Sequence, residues 1–169
     1  NALCRIERTL SFTTDTPDFW RANGEKYPSH AGRFTGEPAY FHHVREATKG
    51  ILQMTKKEMS DIDHVVFHMP NAKFPSRIAK EFGCTAYQME HGFIVPHIGN
   101  TYSACSPLGL AHVLQHAKKD ETILVVSYGS GAGSDAFLMT MMKDGIALKE
   151  EKESTYINYA QYQSMVATH

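Results

Sequence analysis

The segment Ile62-Asp-His-Val-Val-Phe-His-Met-Pro-Asn-Ala-Lys-Phe-Pro75 decides the fold of this chain. Its apolar run over 62–68 predicts a buried strand that ends on His68, where Pro70 and polar residues open a loop. Downstream, Ile98-Gly-Asn-Thr-Tyr102 forms a second loop that presents Asn100. A histidine and an amide delivered by neighbouring loops are typical of an active site at the strand ends of an α/β fold.

Helical and extended patterns alternate along the chain, which predicts an α/β layer with a mixed sheet of five strands. Strands are predicted over 1–14, 62–68, 92–95, 123–127 and 135–142, and helices over 38–56, 75–82 and 103–118. No hairpin partner follows the first strand, so we expect its sheet neighbours to lie elsewhere. The segment 15–37 is interpreted as an ordered loop with a short helix, and the tail 150–169 as charged and then helical at the surface.

The composition is that of one ordinary soluble domain, with 169 residues, 42% hydrophobic and 21% charged. A formal net charge of -1 argues against nucleic-acid and acidic-membrane partners. No apolar run approaches the roughly 20 residues that a membrane span needs. Cys4, Cys84 and Cys105 are scattered, which favours free thiols and a cytoplasmic location. The ten histidines are dispersed, and we predict no metal site.

Each candidate site residue also has a plainer interpretation. His68 is either a functional residue or a histidine that makes a structural hydrogen bond at a strand end. Asn100 is also a normal residue for a helix cap or a turn. The glycine-rich turn Gly129-Ser130-Gly131 lets backbone approach a substrate closely, or it is a simple hairpin turn. A strand pattern follows it where a phosphate-binding P-loop needs a helix, so that motif is excluded.

Three further side chains are weaker candidates. Lys73 and Arg77 lie one helical turn apart beside His68 and could hold the phosphates of a cofactor, although exposed basic residues are more often simply solvated. Cys105 lies in an apolar helical stretch without a base at a fixed distance. We therefore interpret Cys105 as a buried, inert thiol and not as a nucleophile.

Several motifs in the same order resemble the archaeal-type hydroxymethylglutaryl-CoA synthases of the thiolase superfamily. The motifs are Thr14-Asp-Thr-Pro-Asp-Phe-Trp-Arg21, the stretch from Tyr27 to Phe41, Phe67-His-Met-Pro-Asn-Ala-Lys-Phe-Pro75, Ile98-Gly-Asn-Thr-Tyr102, Ser127-Tyr-Gly-Ser-Gly-Ala-Gly-Ser-Asp-Ala-Phe137 and Tyr156-Ile-Asn-Tyr-Ala-Gln-Tyr162. The resemblance covers nearly the whole chain but only the second half of the family's protein. It implies a thiolase-like half, with 1–14 a strand of the first half, completing a layered α/β/α/β/α assembly.

The resemblance implies a condensation of acetyl-CoA with acetoacetyl-CoA and water to give 3-hydroxy-3-methylglutaryl-CoA and CoA, in the mevalonate route to isoprenoids. By motif, His68 and Asn100 match the family's active-site histidine and asparagine. Lys73 would lie near the CoA entrance, Asn71 would bind substrate, and the turn of Gly129, Ser130 and Gly131 would line the acyl site. No permanently bound cofactor and no metal are implied.

The cysteine nucleophile and the glutamate base of the family belong to the half that has no counterpart here. The implied partners are therefore an N-terminal half and further copies of the assembled enzyme. An acetoacetyl-CoA thiolase and a zinc-ribbon/OB-fold protein are also implied. Two alternatives stay open: another acyl-condensing enzyme of the 3-oxoacyl synthase type, and a non-catalytic half that only scaffolds a complex.

Overall fold

A computed structural model describes residues 2–32, 36–148 and 155–167 of the chain. Within these residues the main sheet has four strands in the order β1-β6-β5-β4, and β2 pairs with β3 in a separate ribbon. β4 and β5 are parallel, whereas β6 is antiparallel to β5 and to β1. The sheet is mixed, as predicted. The strands are β1 (Cys4–Thr13), β2 (Phe19–Trp20), β3 (Ser29–His30), β4 (His64–Phe67), β5 (Thr122–Val126) and β6 (Gly133–Met141).

Helices cover both faces of this sheet. The described helices are α1 (Phe41–Thr55), α2 (Lys73–Glu81), α3 (Ala86–Met89), α4 (Val95–Ile98), α5 (Cys105–His116) and α6 (Tyr159–Val166). The three longer helices predicted for the body of the chain are confirmed with shifted ends. α1 stops where Lys56 adopts the left-handed conformation (φ 53°), which closes the last turn.

The buried strands alternate between two cores, because successive side chains point to opposite faces of a sheet. In β4, Val65 and Phe67 pack in the core on the side of α1, whereas Val66 packs on the side of α5. In β5, Leu124 and Val126 join the α1 side, while their neighbours join the other. A parallel pair buried on both faces explains why these strands are apolar after their first residues, His64 and Thr122.

Gly109 sets the distance between α5 and the sheet. A Cβ atom at this position would lie 2.7 Å from Cγ1 of Val66 and 2.9 Å from Cε of Met69. The helix therefore lies closer to β4 than any residue with a side chain would allow. This close approach places the loop before α5 beside the carboxyl end of β4.

One strand prediction is confirmed and another needs correction. As the missing hairpin partner indicated, the sheet neighbour of the first strand lies far along the chain, since β1 pairs with β6 from Cys4–Met141 to Thr13–Gly133. Which half of a longer protein this strand belongs to stays a prediction. The predicted strand at 92–95 is wrong, and the described sheet has four strands instead of five. The short apolar run around Phe93 lies between α3 and α4, where the Phe93 N–H donates locally to the Met89 carbonyl.

The polar segment after β1 is ordered where it is described, and a short helical turn over Gly36–Tyr40 lies at its end. Phe19 and Trp20 pair with Ser29 and His30 in the β2–β3 ribbon. Residues 33–35 lie outside the described residues. In the tail, α6 is helical and exposed along its length, as predicted, while 149–154 and 168–169 lie outside the described residues.

Candidate functional site

His68 is the first residue beyond β4, and backbone hydrogen bonds hold it there. Its N–H donates to the Val126 carbonyl at 2.8 Å, which extends the pairing of β4 with β5 by one residue. The buried Tyr40 hydroxyl donates to the His68 carbonyl at 2.5 Å. The main chain is thus held on both sides, and the half-buried imidazole projects from a rigid base.

Burial controls the charge of His68. Desolvation by the surrounding protein lowers its pKa to about 4. The imidazole is therefore neutral at pH 7, with one nitrogen that donates a hydrogen bond and one that accepts. Its neighbours are aromatic, because the rings of Tyr40 and Tyr128 lie 6.5 Å and 6.2 Å from it between centroids.

Asn100 lies in the loop between α4 and α5 and is exposed. Its Oδ1 accepts the Tyr102 backbone N–H at 2.8 Å, an Asx turn that orients the side chain. With the carbonyl oxygen occupied, the group that Asn100 can offer a ligand is its amide N–H₂. Of the two plainer interpretations of Asn100, the structure therefore shows the turn, which precedes α5, and not the helix cap.

The glycine-rich turn joins β5 to β6, and a buried carboxylate holds it. Asp18 is fully buried, with 0% of its surface exposed. Its Oδ1 accepts the Gly131 N–H at 2.6 Å, and its Oδ2 accepts the Tyr128 hydroxyl at 2.7 Å. Burial, together with the hydrogen bond to Asp18, raises the pKa of Tyr128. Gly131 has a φ of 103°, which only glycine adopts readily.

One cavity of about 320 Å³ brings together most of the predicted site residues. His68, Asn71, Asn100 and Ser130 all line it. Gly129 and Gly131 flank Ser130 in the turn without lining the cavity, and Lys73 does not line it either. The remaining lining residues are Asp18, Phe19, His30, Tyr40, Pro70, Phe74, Tyr102 and Tyr128.

The residues at the start of α2 have structural roles that the sequence did not reveal. Asn71 Oδ1 accepts the backbone N–H groups of Lys73 and Phe74 at 2.9 and 3.1 Å and so caps the helix. Lys73 is exposed at the first position of α2. Arg77 lies over the Phe41 ring at 4.2 Å and contacts Glu37 at 3.3 Å, so it is already engaged.

A second cavity, of about 370 Å³, shares His68 and Tyr128 with the first. Its other walls are mainly apolar and come from β1, β5, β6 and the first half of α5. His68 therefore stands between a polar cavity with amide groups and an apolar one. Ile6, at the edge of the second cavity, is 54% exposed.

Cys105 is buried at the start of α5, as predicted. Its Sγ accepts the Met69 N–H at 3.0 Å, and burial raises the pKa of the thiol. The thiol form is favoured, which is opposite to what a nucleophilic cysteine needs. Its hydrogen bond helps to hold the segment that follows His68.

Asp18, Tyr40 and Tyr128 are site residues that the sequence interpretation missed. Asp18 and Gly131 are 113 positions apart, and Tyr40 and the His68 carbonyl are 28 apart. No local spacing signals such contacts. The one available hint was the presence of Asp18 in a motif that resembled the family.

Comparison with known proteins identifies the domain. Residues 52–141 match the family described as the C-terminal domain of 3-oxoacyl-[acyl-carrier-protein] synthase III, and this match spans more than half of the chain. The chain belongs to this family. The matched stretch contains His68, Asn100 and the glycine-rich turn.

The relatives of this synthase-type domain include proteins named hydroxymethylglutaryl-CoA synthase. The one from Methanosphaera stadtmanae is 50% identical over 96% of this chain, and the one from Archaeoglobus fulgidus is 48% identical over 96%. In both cases the match covers 49% of the relative, so the chain spans about half the length of the curated relatives it matches. These relatives confirm the resemblance predicted from the motifs.

Solved structures confirm the thiolase-like fold. A hydroxymethylglutaryl-CoA synthase complexed with CoA is 23% identical, with a TM-score of 0.67 over 83% of this chain and 40% of that one. The 3-oxoacyl-(acyl carrier protein) synthase III of Pseudomonas aeruginosa is 16% identical, with a TM-score of 0.69 over 82% of this chain and 45% of that one. Within the described residues, no helix combines the length and apolar character of a membrane span.

Proposed function

We propose that this chain is the C-terminal half of a hydroxymethylglutaryl-CoA synthase and supplies the His68 and Asn100 side of its active site. The observation that carries the proposal is the shared cavity, which brings both side chains together with the turn at Ser130. The identity of 48–50% with proteins of that name supports the same assignment. The substrates are acetyl-CoA and acetoacetyl-CoA, and no permanently bound cofactor is proposed.

His68 and Asn100 act on the ketone oxygen of acetoacetyl-CoA. The carbanion of an acetyl thioester adds to the ketone carbon, and the electron pair of the C=O bond moves to the oxygen. A neutral imidazole N–H and the Asn100 amide donate hydrogen bonds to that oxygen as its negative charge develops. A proton then completes the tertiary alcohol. Water hydrolyses the thioester to the cysteine nucleophile, which releases the product with its CoA thioester intact.

The substrate is held by groups around the same cavity. Lys73, exposed at the start of α2, attracts the phosphates of CoA near the entrance, and Asn71 borders the channel. Gly129, Ser130 and Gly131 offer backbone to the acyl group without a bulky side chain in the way. Because Asn71 Oδ1 already caps α2, its contribution to substrate binding comes from its amide nitrogen.

The nucleophilic cysteine and the glutamate base come from an N-terminal half, which packs against α5 and the apolar cavity beside it. The first half of α5 is largely apolar, yet Pro107 and Leu108 are exposed, Leu108 at 41%. A helix of this kind needs cover on both sides. Leu108→Glu should weaken assembly with the other half at least tenfold in an affinity measurement, whereas Gln115→Glu, on the same helix, should leave it within twofold.

The wider setting follows from the same assignment. The assembled enzyme forms homo-oligomers in the cytoplasm, consistent with the free thiols of Cys4, Cys84 and Cys105. An acetoacetyl-CoA thiolase and a zinc-ribbon/OB-fold protein are its partners in a complex. A net charge of -1 offers no general attraction to nucleic acid or acidic membranes.

A 3-oxoacyl synthase activity is not favoured. Both enzyme classes share the fold, with TM-scores of 0.67 and 0.69, so the fold does not separate them. Sequence identity separates the two classes, because it is 16% with one solved 3-oxoacyl synthase and 48–50% with the archaeal relatives. A scaffold half without a catalytic role is the alternative that an activity assay must decide.

The decisive experiment is a turnover assay on the chain assembled with its N-terminal half. His68→Ala should lower kcat by about 10²–10³ because it removes one donor to the developing alkoxide. His97→Ala, which changes an exposed histidine of α4 outside the cavity, should leave kcat within twofold. Circular dichroism checks that both variants keep the fold.

Mass spectrometry provides the second measurement. A cysteine of the N-terminal half should gain one acetyl group on incubation with acetyl-CoA, also in the His68→Ala enzyme. Full turnover by His68→Ala, or condensation of acetyl-CoA with an acyl carrier protein substrate instead, would overturn the assignment. Turnover that is independent of this chain would favour the scaffold alternative.

A further inference from the structure

Three histidines come together at the end of the molecule where α5 finishes. His91 follows α3, while His112 and His116 belong to the second half of α5. One ring nitrogen from each of the three lies within 4.8 Å of the others. Within the described residues this is the one group of three or more histidine, cysteine or acidic side chains placed closely enough to hold a metal ion.

The spacing of His112 and His116 suits metal binding. Residues four apart on a helix project from the same face, so both imidazoles can reach one ion. The prediction of no metal site overlooked this pattern, since the histidines of His112-Val-Leu-Gln-His116 have helical ligand spacing. The sequence could not indicate the third member, because His91 reaches the helix only through the packing of the preceding loop.

Hydrogen bonds set the tautomers of the two helical histidines. His112 Nδ1 lies 2.7 Å from the His91 carbonyl oxygen, and His116 Nδ1 lies 2.9 Å from the His112 carbonyl oxygen. A carbonyl can only accept, so each Nδ1 carries the proton and each Nε2 keeps a lone pair. Histidines that bind metals in proteins are commonly held in this way, with the other ring nitrogen donating to a backbone carbonyl.

The third histidine lies against one of the helical pair. The His91 and His116 rings stack at 4.1 Å with an angle of 8° between their planes. Ligation requires the His91 ring to turn out of this stack, because the lone pairs of two parallel rings lie in their own ring planes and cannot converge on one ion.

A fourth histidine lies behind the cluster. The His64 ring is buried, and its centroid lies 5.9 Å from that of His91. Its Nε2 pairs with Glu121 Oε2 at 2.8 Å, while its Nδ1 has no hydrogen-bond partner among the described residues. His64 thus contacts the carboxylate of Glu121 on one side and the His91 ring on the other.

We propose that His91, His112 and His116 bind one divalent transition-metal ion of the Zn²⁺ class, with water at the fourth position. The site is separate from the cavity around His68, and it would join the segment after α3 to the end of α5. Imidazole ligands suit zinc, nickel and copper, whereas magnesium and calcium prefer oxygen ligands. This proposal does not rest on the synthase activity, because its readouts are metal binding and stability.

Calorimetric titration of tag-free, metal-stripped protein with ZnCl₂ tests the site. The chain, assembled with its other half where that is needed, should bind one equivalent of Zn²⁺. His112→Ala and His116→Ala should each weaken binding at least tenfold. His97→Ala is the matched control, an exposed helical histidine outside the cluster, and should bind like the wild type. MgCl₂ should give no binding isotherm.

Two further measurements separate this site from other zinc-binding groups. Zinc at a hundredfold excess over Kd should raise the Tm by roughly 5–10 °C in the wild type but not in His116→Ala. X-ray absorption should show nitrogen ligands at about 2.0 Å and no sulfur. Unchanged binding in both histidine variants, loss of binding on cysteine alkylation alone, or no binding at all would overturn the proposal.

Discussion

Asp18→Asn offers the sharpest test of how the glycine-rich turn is held. Both carboxylate oxygens of Asp18 accept hydrogen bonds inside the protein, one from the Gly131 N–H and one from the Tyr128 hydroxyl. Asparagine has nearly the same shape, but one of its oxygens is replaced by an amino group. That group donates, so the amide oxygen must face Gly131 and the Tyr128 hydroxyl must reverse to accept, which leaves the hydroxyl proton without its acceptor and removes the charge from both hydrogen bonds.

The expected loss follows from the burial of this contact. A hydrogen bond to a charged group contributes about 1.5–3 kcal/mol, and a buried donor left unpaired costs a similar amount. Removing the buried charge offsets part of the loss, because an amide is easier to desolvate than a carboxylate. We expect the free energy of unfolding to fall by about 1–3 kcal/mol for Asp18→Asn. Asp15→Asn, at an exposed position in the same loop, should change it by less than about 0.5 kcal/mol.

Two assays check this expectation. Urea unfolding followed by circular dichroism measures the free energy, and hydrogen–deuterium exchange reports on the Gly131 amide directly. The amide should exchange at least tenfold faster in Asp18→Asn than in Asp15→Asn or the wild type. If both aspartate variants unfold at the same urea concentration and protect the Gly131 amide equally, then Asp18 does not hold the turn.

Three further predictions concern other contacts of the site. Burial lowers the pKa of His68, so its NMR titration midpoint should lie near 4. Below about pH 6.5 the unfolded chain binds this proton and the folded chain does not, so the free energy of unfolding should fall as the pH drops from 6.5 to about 4. Above pH 6.5, His68 should have no effect on stability. A midpoint near 6.5 would contradict this. Gly109→Ala should destabilise the protein by about 1–3 kcal/mol in urea, since its methyl group meets β4 and the residue after His68, whereas Gly129→Ala has open space and should cost less. Tyr40→Phe leaves the His68 carbonyl without its hydroxyl donor, so the free energy of unfolding should fall by about 1–2 kcal/mol. The control Tyr87→Phe, at an exposed position, should give no measurable change. Equal stability of the two variants would show that the hydroxyl of Tyr40 is dispensable.

The fold was predictable where the period of the apolar residues is clear. The run at 62–68 gave β4, and the helical period between Pro38 and Lys56 gave α1, with errors of a few residues at the ends. The segment 92–95 misled because three apolar residues in a row fit a strand and a buried turn equally well. The pairing of β1 with β6 joins segments that are far apart in the sequence, and no local pattern contains that information.

The candidate site divides in the same way. His68 became a candidate because a polar residue ends an apolar strand, whereas Asn100 fits an ordinary turn and became a candidate through its motif. Asp18 and Tyr40 were missed because their partners are distant in sequence and become neighbours only in the folded protein. Asn71 shows the opposite error, since the residue was correctly placed at the cavity while its carbonyl serves to cap α2.

α5 connects these observations. Gly109 lets the helix lie against β4, and this contact places its N-terminal loop, with Asn100, beside His68. The opposite side of the helix remains apolar and exposed at Leu108, and its last turns carry the histidine cluster. A companion half that packs on Leu108 would therefore press on the same rigid element that positions Asn100. A metal ion at the C-terminal end of α5 would fix the helix to the loop after α3. Assembly and metal binding would then both act on the active site through α5, without a separate pathway.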